Sequence, residues 1–193
     1  MRALEDYATS YQNARLTRDD KGILEVTLHT DGGPLVWNES AHRELPLLFA
    51  DISNDAQNRV VILTGTGDAP HFPNGVVAGD GVHIVWPLLL GPNRGRYFLL
   101  TGQELSAEEA LRLNVVGEVL PADQLLPRAR ELARQLADKP ITTLRYTRVA
   151  LTQRLKRHLL DDLGYGLMLE SRAAVANSTP TTQAWTGQEQ QPT

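Results

Sequence analysis

The sequence predicts an α+β fold, with strands early in the chain and helices late. Apolar residues alternate at 23–29, and residues 60–64 form a continuous apolar run rich in β-branched side chains, as is typical of strands. From about residue 81 to residue 167, apolar residues instead recur at helical spacing. At 193 residues, the chain has the length of one domain with a helical extension.

The first strands form a predicted β-hairpin. Leu24, Val26 and Leu28 share one face of a strand, and residues 14–18 can pair with it across the polar turn at 19–22. The run at 60–64 is closed by a glycine, and we expect it to be a strand buried on both faces.

Helical signals dominate the rest of the chain. Asn38 or Ser40 can cap a first helix that ends near Asp55, and Ser106 with Glu109 forms a predicted capping box. Further predicted helices cover residues 86–90, 94–100, 124–137, 141–153 and 155–167, and a fourth strand is predicted at 115–120. The predicted organisation is a core at 1–120, a helical region at 121–176 and a disordered tail at 177–193.

The segment at 64–81 holds the first candidate site. It contains five of the 15 glycines and two of the 11 prolines, and loops of this length are usually functional or disordered. His71 and Asp80 both lie in it. A neutral imidazole can accept a proton from water, and a carboxylate on its other nitrogen fixes its tautomer. The alternative is that Asp80 caps the following helix and His71 lies in a turn.

Two other side chains are candidates for the same site. Glu170 follows Leu163 and Leu167 at helical spacing, which places a carboxyl on the apolar stripe of the last helix. The alternative for Glu170 is a solvated helix end or a subunit contact. Trp37 could line a pocket and donate its indole N–H to a developing oxyanion, although a core tryptophan is the commoner outcome.

Composition excludes several classes of function. The chain has no Cys, which excludes thiol catalysis and iron–sulfur clusters and is compatible with the cytoplasmic location that we expect. A net charge of −4 without a run of basic residues argues against a nucleic-acid partner. No stretch approaches the roughly 20 apolar residues that span a bilayer, so no membrane association is expected. We expect no metal and no cofactor, because ligand spacings and phosphate-binding motifs are missing.

Two stretches resemble the enoyl-CoA hydratase/isomerase (crotonase) superfamily. Residues 60–67 are similar to the strand before that family's first oxyanion loop, and residues 98–111 resemble its L-T-G-x-x-x-S/D-A-x-x-A signature. Within the superfamily the chain is most similar to the β-diketone hydrolases, the group that includes 6-oxocamphor hydrolase. That similarity lies in residues 35–37, 71–75, 79–87 and 93–105.

The resemblance implies a shortened crotonase-like ββα spiral core followed by C-terminal helices. It implies that His71, where hydratases of the family carry a catalytic Glu, activates water with Asp80 behind it. Trp37 would then help to bind a substrate oxygen, and Glu170 would lie in the pocket. The implied activity is hydrolysis of a carbon–carbon bond in a cyclic β-diketone, a small-molecule substrate, without metal, nucleotide or CoA.

The chain departs from the family between Asp68 and His71. Other members insert several strands and helices there, including the oxyanion-loop segments, whereas only Ala69 and Pro70 remain in this sequence. Two alternatives therefore stay open. One is an acyl-CoA hydratase or isomerase, against which the missing Glu argues. The other is a catalytically inactive interaction subunit that has lost its oxyanion donors.

The resemblance also implies a homo-oligomer, either a trimer or a hexamer, in which C-terminal helices pack on a neighbouring subunit. The candidate interface stripe consists of Leu155, Leu159, Leu163 and Leu167. An ordinary core within one chain is the alternative for this stripe.

Overall fold

The computed structural model describes residues 3–66 and 77–178 and confirms a mixed α+β architecture. In chain order the elements are α1 (Leu4–Tyr7), β1 (Ala14–Arg18), β2 (Ile23–Leu28), α2 (Glu39–Asn54), β3 (Val60–Gly65), α3 (Val82–Leu90), α4 (Pro92–Thr101), α5 (Ala107–Arg112), α6 (Ala122–Ala137) and α7 (Ile141–Ser178). Helices therefore account for most of the second half of the chain, as the sequence predicts.

The three strands form one mixed sheet in the order β1-β2-β3. β1 and β2 are antiparallel, with Leu16 opposite Val26, which confirms the predicted hairpin. β3 runs parallel to β2, with Leu24 opposite Val61. A parallel pair needs a crossover connection, and α2 provides it.

Helices cover both faces of β2. On one face, buried residues of β1 and β2 pack with buried residues of α1 and α2; these are Tyr7, Ala14, Leu16, Leu24, Val26, Leu45, Leu48 and Ile52. On the other face, Ile23 and Ile62 pack against Ala133 and Ala137 of α6. Arg130 of α6 also binds the Glu25 carboxylate through Nε and Nη2, at 2.5 and 2.9 Å. Hydrogen bonding to Arg130 holds the pKa of Glu25 below its usual value.

The prediction that the strand at 60–64 is buried on both faces is wrong. Ile62 is buried under α6, but the side chains of Val61 and Leu63 are 43% and 54% exposed. These two residues pair with Leu24 and Val26, so they lie on the α2 face of the sheet. β3 is the last of the three strands in the described part of the sheet, so α2 covers β1 and β2 and leaves this outer part of the face open.

Local capping signals are confirmed in part. Asn38 caps α2, and its side-chain oxygen accepts a hydrogen bond from the Ala41 N–H at 2.9 Å. Ser106 caps α5 by accepting from the Glu109 N–H at 3.1 Å. The Glu109 carboxylate accepts hydrogen bonds from Arg94 and Arg112. It therefore forms ion pairs with these residues in place of the predicted hydrogen bond from the Ser106 backbone N–H.

Two other predictions differ from the structure. Residues 115–120 form no strand and follow α5 as irregular backbone, entered through Asn114 at φ 57°. The helices predicted at 141–153 and 155–167 form one helix, α7, of 38 residues. Nothing in the sequence around residue 154 stops a helix, and the two glycines at 164 and 166 weaken it without breaking it.

The chain divides into two compact units. The first lies within Met1–Phe72 and Leu120–Val149, and the second within Pro73–Val119 and Ala150–Thr193. α6 falls in the first unit because it packs on the sheet, and the predicted division at residue 120 stays a prediction. α7 continues to Ser178, past the predicted start of the tail at 177, and residues 179–193 of that tail lie outside the described residues. Among the helices of the described ranges, none combines the length and apolarity needed to cross a membrane.

Candidate active site

The turn that carries Asp80 leads directly into α3. Gly81 is the N-cap residue of α3 and adopts φ 111°, a left-handed conformation that favours glycine. The Asp80 side chain is exposed, and its Oδ1 accepts from the Val82 N–H at 3.4 Å. That distance is long for an N–H···O bond, so helix capping uses little of the acceptor capacity of this carboxylate.

His71, the predicted base, lies outside the described residues. The predicted pairing of His71 with Asp80 therefore stays a prediction. The structure does bring the turn at 79–81 into contact with Glu170. A Cβ placed on Gly79 would lie 2.9 Å from the Glu170 Cβ and 2.2 Å from the Gly166 carbonyl oxygen. The backbones of the turn and of α7 are therefore in direct contact, and only glycine fits at position 79.

A second glycine completes this contact from the side of α7. A Cβ on Gly166 would lie 2.5 Å from the Gly79 carbonyl oxygen and 2.4 Å from Cε1 of His83. The imidazole of His83 therefore lies against the bare main chain of Gly166. Glu170 follows Gly166 by one helical turn, on the same face of α7. We call Gly79, His83, Gly166 and Glu170 the glycine-contact cluster.

His83 is the member of this cluster that the sequence does not single out. Its place two residues into a helix after a glycine-rich turn gives no sign of burial. Both ring nitrogens are inaccessible to solvent, and within the described ranges neither has a hydrogen-bond partner; the same holds for Oε2 of Glu170. The one available signal is Gly166 itself, because an interior helix glycine often marks a close packing contact.

Trp37 lies in the other compact unit, just before α2. Its side chain is 59% exposed, so the commoner outcome of a core tryptophan does not hold. Its indole meets the ring of His42 edge-on, with ring centroids 5.8 Å apart. The exposed indole is free of a core-packing role and remains a candidate for contact with a substrate.

Two concavities in the described residues lie away from the predicted site residues. One, of about 260 Å³, is lined by Asp19, Ile23, Glu25, Arg130 and Arg134. The other, of about 760 Å³, is a polar depression lined by Asn93, Arg94, Tyr97, Gln103, Glu104 and Glu109. Each is lined mostly by charged and polar residues and includes one Arg–Glu ion pair, whereas pockets that bind small molecules are lined mainly by apolar residues. Across the described ranges, no group of three or more His, Asp or Glu side chains could hold a metal ion.

Comparison with known proteins links the chain to one family and several structures. The family model for enoyl-CoA hydratase/isomerase matches residues 69–178. A β-diketone hydrolase from the cyanobacterium Anabaena, bound to (S)-3-oxocyclohexyl acetic acid, is 40% identical, with a TM-score of 0.87 over 90% of this chain and 98% of that one. An enoyl-CoA hydratase from Mycobacterium paratuberculosis shares the fold at 18% identity, with a TM-score of 0.73 over 86% of this chain and 98% of that one.

A curated relative matches a shorter stretch. Carnitinyl-CoA dehydratase from Salmonella paratyphi B is 41% identical over 69 residues, which is 36% of this chain. The match spans only 26%, about a quarter, of the length of that dehydratase.

Proposed function

The chain belongs to the enoyl-CoA hydratase/isomerase family, and we propose that within it the protein is a hydrolase that cleaves a carbon–carbon bond of a cyclic β-diketone. The observation that carries this proposal is the 40% identity to a β-diketone hydrolase over 90% of the chain. The family resemblance predicted from the sequence is thereby confirmed, and the specific activity is the part that we propose.

The ligand of that relative suggests a class of substrate. The relative binds (S)-3-oxocyclohexyl acetic acid, a keto acid. The carboxyl carbon of this acid can be joined, with loss of water, to the α-carbon of the ketone that is not bonded to the substituted ring carbon. The product is a bridged bicyclic 1,3-diketone. The reverse reaction adds one water and opens one ring. We propose that this chain acts on a diketone of this kind.

In the proposed mechanism, His71 takes a proton from water and Asp80 orients and stabilises the resulting imidazolium. The hydroxide attacks one ketone carbon to form a tetrahedral oxyanion. That intermediate collapses, and the carbon–carbon bond to the shared α-carbon breaks. The second ketone accepts the electron pair as an enolate, which is then protonated. A 1,3-relationship between the ketones is required because it stabilises the leaving carbanion.

Trp37 and Glu170 have supporting roles in this proposal. The indole N–H of Trp37 would donate a hydrogen bond to a substrate oxygen, for which its 59% exposure leaves it accessible. Glu170 would place its carboxyl beside the turn that carries Asp80 and relay the proton to the enolate carbon. Contact between Gly79 and Glu170 supports this second role.

An acyl-CoA hydratase or isomerase is the second candidate function. The 41% identity to carnitinyl-CoA dehydratase over 69 residues favours it. His71 in place of the usual Glu favours the diketone hydrolase, since a neutral imidazole accepts a proton from water near neutral pH. We further propose that the protein acts in the cytoplasm as a homo-oligomer.

The deciding experiment offers the purified chain both kinds of substrate. We expect the bridged bicyclic diketone to give a keto acid that is one water heavier, detected by mass spectrometry, and a 2-enoyl-CoA to remain unchanged. His71→Ala should abolish turnover above buffer, whereas His158→Ala on α7 serves as the matched control. Turnover of the enoyl-CoA alone would favour the second candidate. No turnover of either substrate, together with binding to an active family member, would favour the inactive interaction subunit.

A further inference from the structure

His83 and Glu170 are buried groups that lack hydrogen-bond partners among the described residues. Both imidazole nitrogens of His83 and Oε2 of Glu170 are out of contact with solvent. Buried polar atoms are hydrogen-bonded in the great majority of cases, because leaving one unpaired costs about 1–3 kcal/mol. Three such atoms lie in one small cluster, which points to a shared interaction that satisfies them.

The two side chains meet the same pair of glycines. The His83 ring lies against Gly166, and the Glu170 Cβ lies against Gly79. Gly166 and Glu170 are four residues apart on α7, so their side-chain positions are neighbours, about 5–6 Å apart. An imidazole ring is wide enough to cover much of that distance.

The chemistry of the two groups is complementary. A neutral imidazole carries one N–H donor and one acceptor, and a carboxyl oxygen accepts from that donor. Glycines at 79 and 166 are what allow the approach, since a methyl group at 166 would overlap His83 and one at 79 would overlap the α7 backbone. The interior glycine at 166 lowers helix propensity by about 1 kcal/mol relative to Ala, so its presence suggests a compensating contact.

Among the described residues, neither the ring nitrogens of His83 nor Oε2 of Glu170 have a hydrogen-bond partner. We propose that a small side-chain rotation, or one bridging water, lets an imidazole N–H of His83 donate a hydrogen bond to Oε2 of Glu170, so that His83 acts as a positioning residue for Glu170. The inference rests on the proposed function for the role of Glu170, whereas the hydrogen bond itself does not depend on it. His83 fixes the direction of the carboxyl so that its other oxygen faces the substrate. It makes no contact with the reacting atoms.

The test combines a spectroscopic signature with kinetics. In wild-type protein, NMR should show a slowly exchanging imidazole N–H resonance that disappears in His83→Gln and is lost or shifted in Glu170→Gln. The same resonance should persist in His158→Gln, the control on α7. If the N–H resonance is absent from wild type, or unaffected by Glu170→Gln, the proposed hydrogen bond is refuted. This readout needs no substrate, and Glu170→Gln tests it even where a His83 variant fails to fold.

Kinetics on the diketone then test the positioning role. His83→Leu should lower kcat about tenfold with KM within about twofold, and His83→Gln, which keeps a donor, should recover part of the loss. The double variant His83→Leu/Glu170→Gln should be no slower than the slower single variant, because both substitutions disrupt the same hydrogen bond. Multiplicative losses would overturn the positioning role.

The two proposals fail in different ways. If wild type shows the Glu170-dependent N–H resonance but no diketone turnover, the proposed function fails and the hydrogen bond stands. If wild type turns over the diketone but shows no such resonance, the proposed function stands and the inference fails.

Discussion

The absence of a side chain at Gly166 should be important for the stability of the protein. It lies inside α7, where alanine is normally the better helix former by about 1 kcal/mol. A Cβ there would lie 2.4 Å from the His83 ring and 2.5 Å from the Gly79 carbonyl oxygen, too close for any real contact. We therefore expect Gly166→Ala to lower the free energy of unfolding by about 1–3 kcal/mol in urea denaturation.

Gly164 provides the matched control for this prediction. It lies two residues earlier on the same helix, and no atom lies within 4 Å of a Cβ built on it. Gly164→Ala should therefore raise the free energy of unfolding, by up to about 1 kcal/mol. If both alanine variants were stabilised equally, the close contact between Gly79, His83 and Gly166 would be ruled out.

Substitution of Asp80 should lower the activity of the protein without lowering its stability. Its carboxylate is exposed, and from the described residues it accepts one long hydrogen bond, donated by the Val82 N–H. Asp80→Asn should leave the thermal unfolding midpoint unchanged and lower kcat on a diketone on the order of 10²–10⁴-fold, the usual contribution of acid–base catalysis. Asp162→Asn, an exposed carboxylate on α7, serves as the control. A variant that kept full activity would remove Asp80 from the proposed mechanism.

The elements that the sequence predicts well depend on local signals. Asn38 caps α2 through a side-chain hydrogen bond three residues away, and the β1–β2 hairpin is closed by a four-residue polar turn. Such interactions form between residues that are close together in the chain, so they can be predicted from the sequence. The same holds for Ser106, whose hydroxyl accepts from the Glu109 N–H.

The elements that the sequence predicts poorly depend on distant partners. Within residues 3–66 and 77–178, no second helix covers the face of β3 that carries Val61 and Leu63, and an apolar run alone does not reveal this. Residues 115–120 have strand-like composition but follow α5 as irregular backbone. The Glu109 carboxylate lies within reach of Arg94, fifteen residues away, and pairs with it instead of closing the capping box.

A buried ion pair ties the hairpin to the end of α2. Nη1 of Arg18 in β1 lies 2.6 Å from Oδ2 of Asp55, the C-cap residue of α2, and the two side chains are 8% and 1% exposed. Arg18→Met should lower the free energy of unfolding by about 3–5 kcal/mol, because it leaves a buried carboxylate without its cation. The exposed pair of Lys21 and Asp138 is the control, and Lys21→Met should leave the midpoint of urea denaturation unchanged.

The same pair predicts how stability depends on pH. Burial alone would raise the pKa of Asp55, but hydrogen bonds from the Gln57 N–H and from Arg18 outweigh it and hold the pKa below its ordinary value of 3.8. A carboxyl whose pKa is lower in the folded state stabilises the fold above its unfolded pKa and loses that contribution as pH falls through its folded pKa. The free energy of unfolding should therefore decline as pH drops below about 3.8, and Asp55→Asn should flatten that decline.

At the scale of the whole molecule, the sequence predicts the family, whereas the catalytic roles of its candidate site residues stay predictions. Asp80 and Glu170 belong to the second compact unit, where the structure brings the turn of Asp80 against Glu170. Trp37 belongs to the first unit. His83 could not be found from the sequence, because its burial follows from contact with Gly166, 83 residues away in the chain.

The proposed homo-oligomer needs apolar surface that one chain does not bury. Leu159 and Leu163 of the predicted stripe lie 3.9 and 3.7 Å from a Cβ built on Gly81, so part of the stripe packs within the chain. Other apolar side chains of α7 are open, with Leu151 78% and Leu160 84% exposed. These exposed leucines are therefore better candidates for a subunit contact than the centre of the predicted stripe.

Light scattering coupled to gel filtration tests this assignment. We expect a mass of three or six times 21.3 kDa for the wild-type protein. Leu160→Lys should shift the mass toward that of one chain, because a lysine in an apolar contact would lose its hydration. Gln153→Lys, an exposed polar position on the same helix, should leave the mass unchanged. A wild-type protein that stays monomeric at high concentration would refute the oligomer, whereas an oligomer insensitive to Leu160→Lys would place the contact elsewhere on the chain.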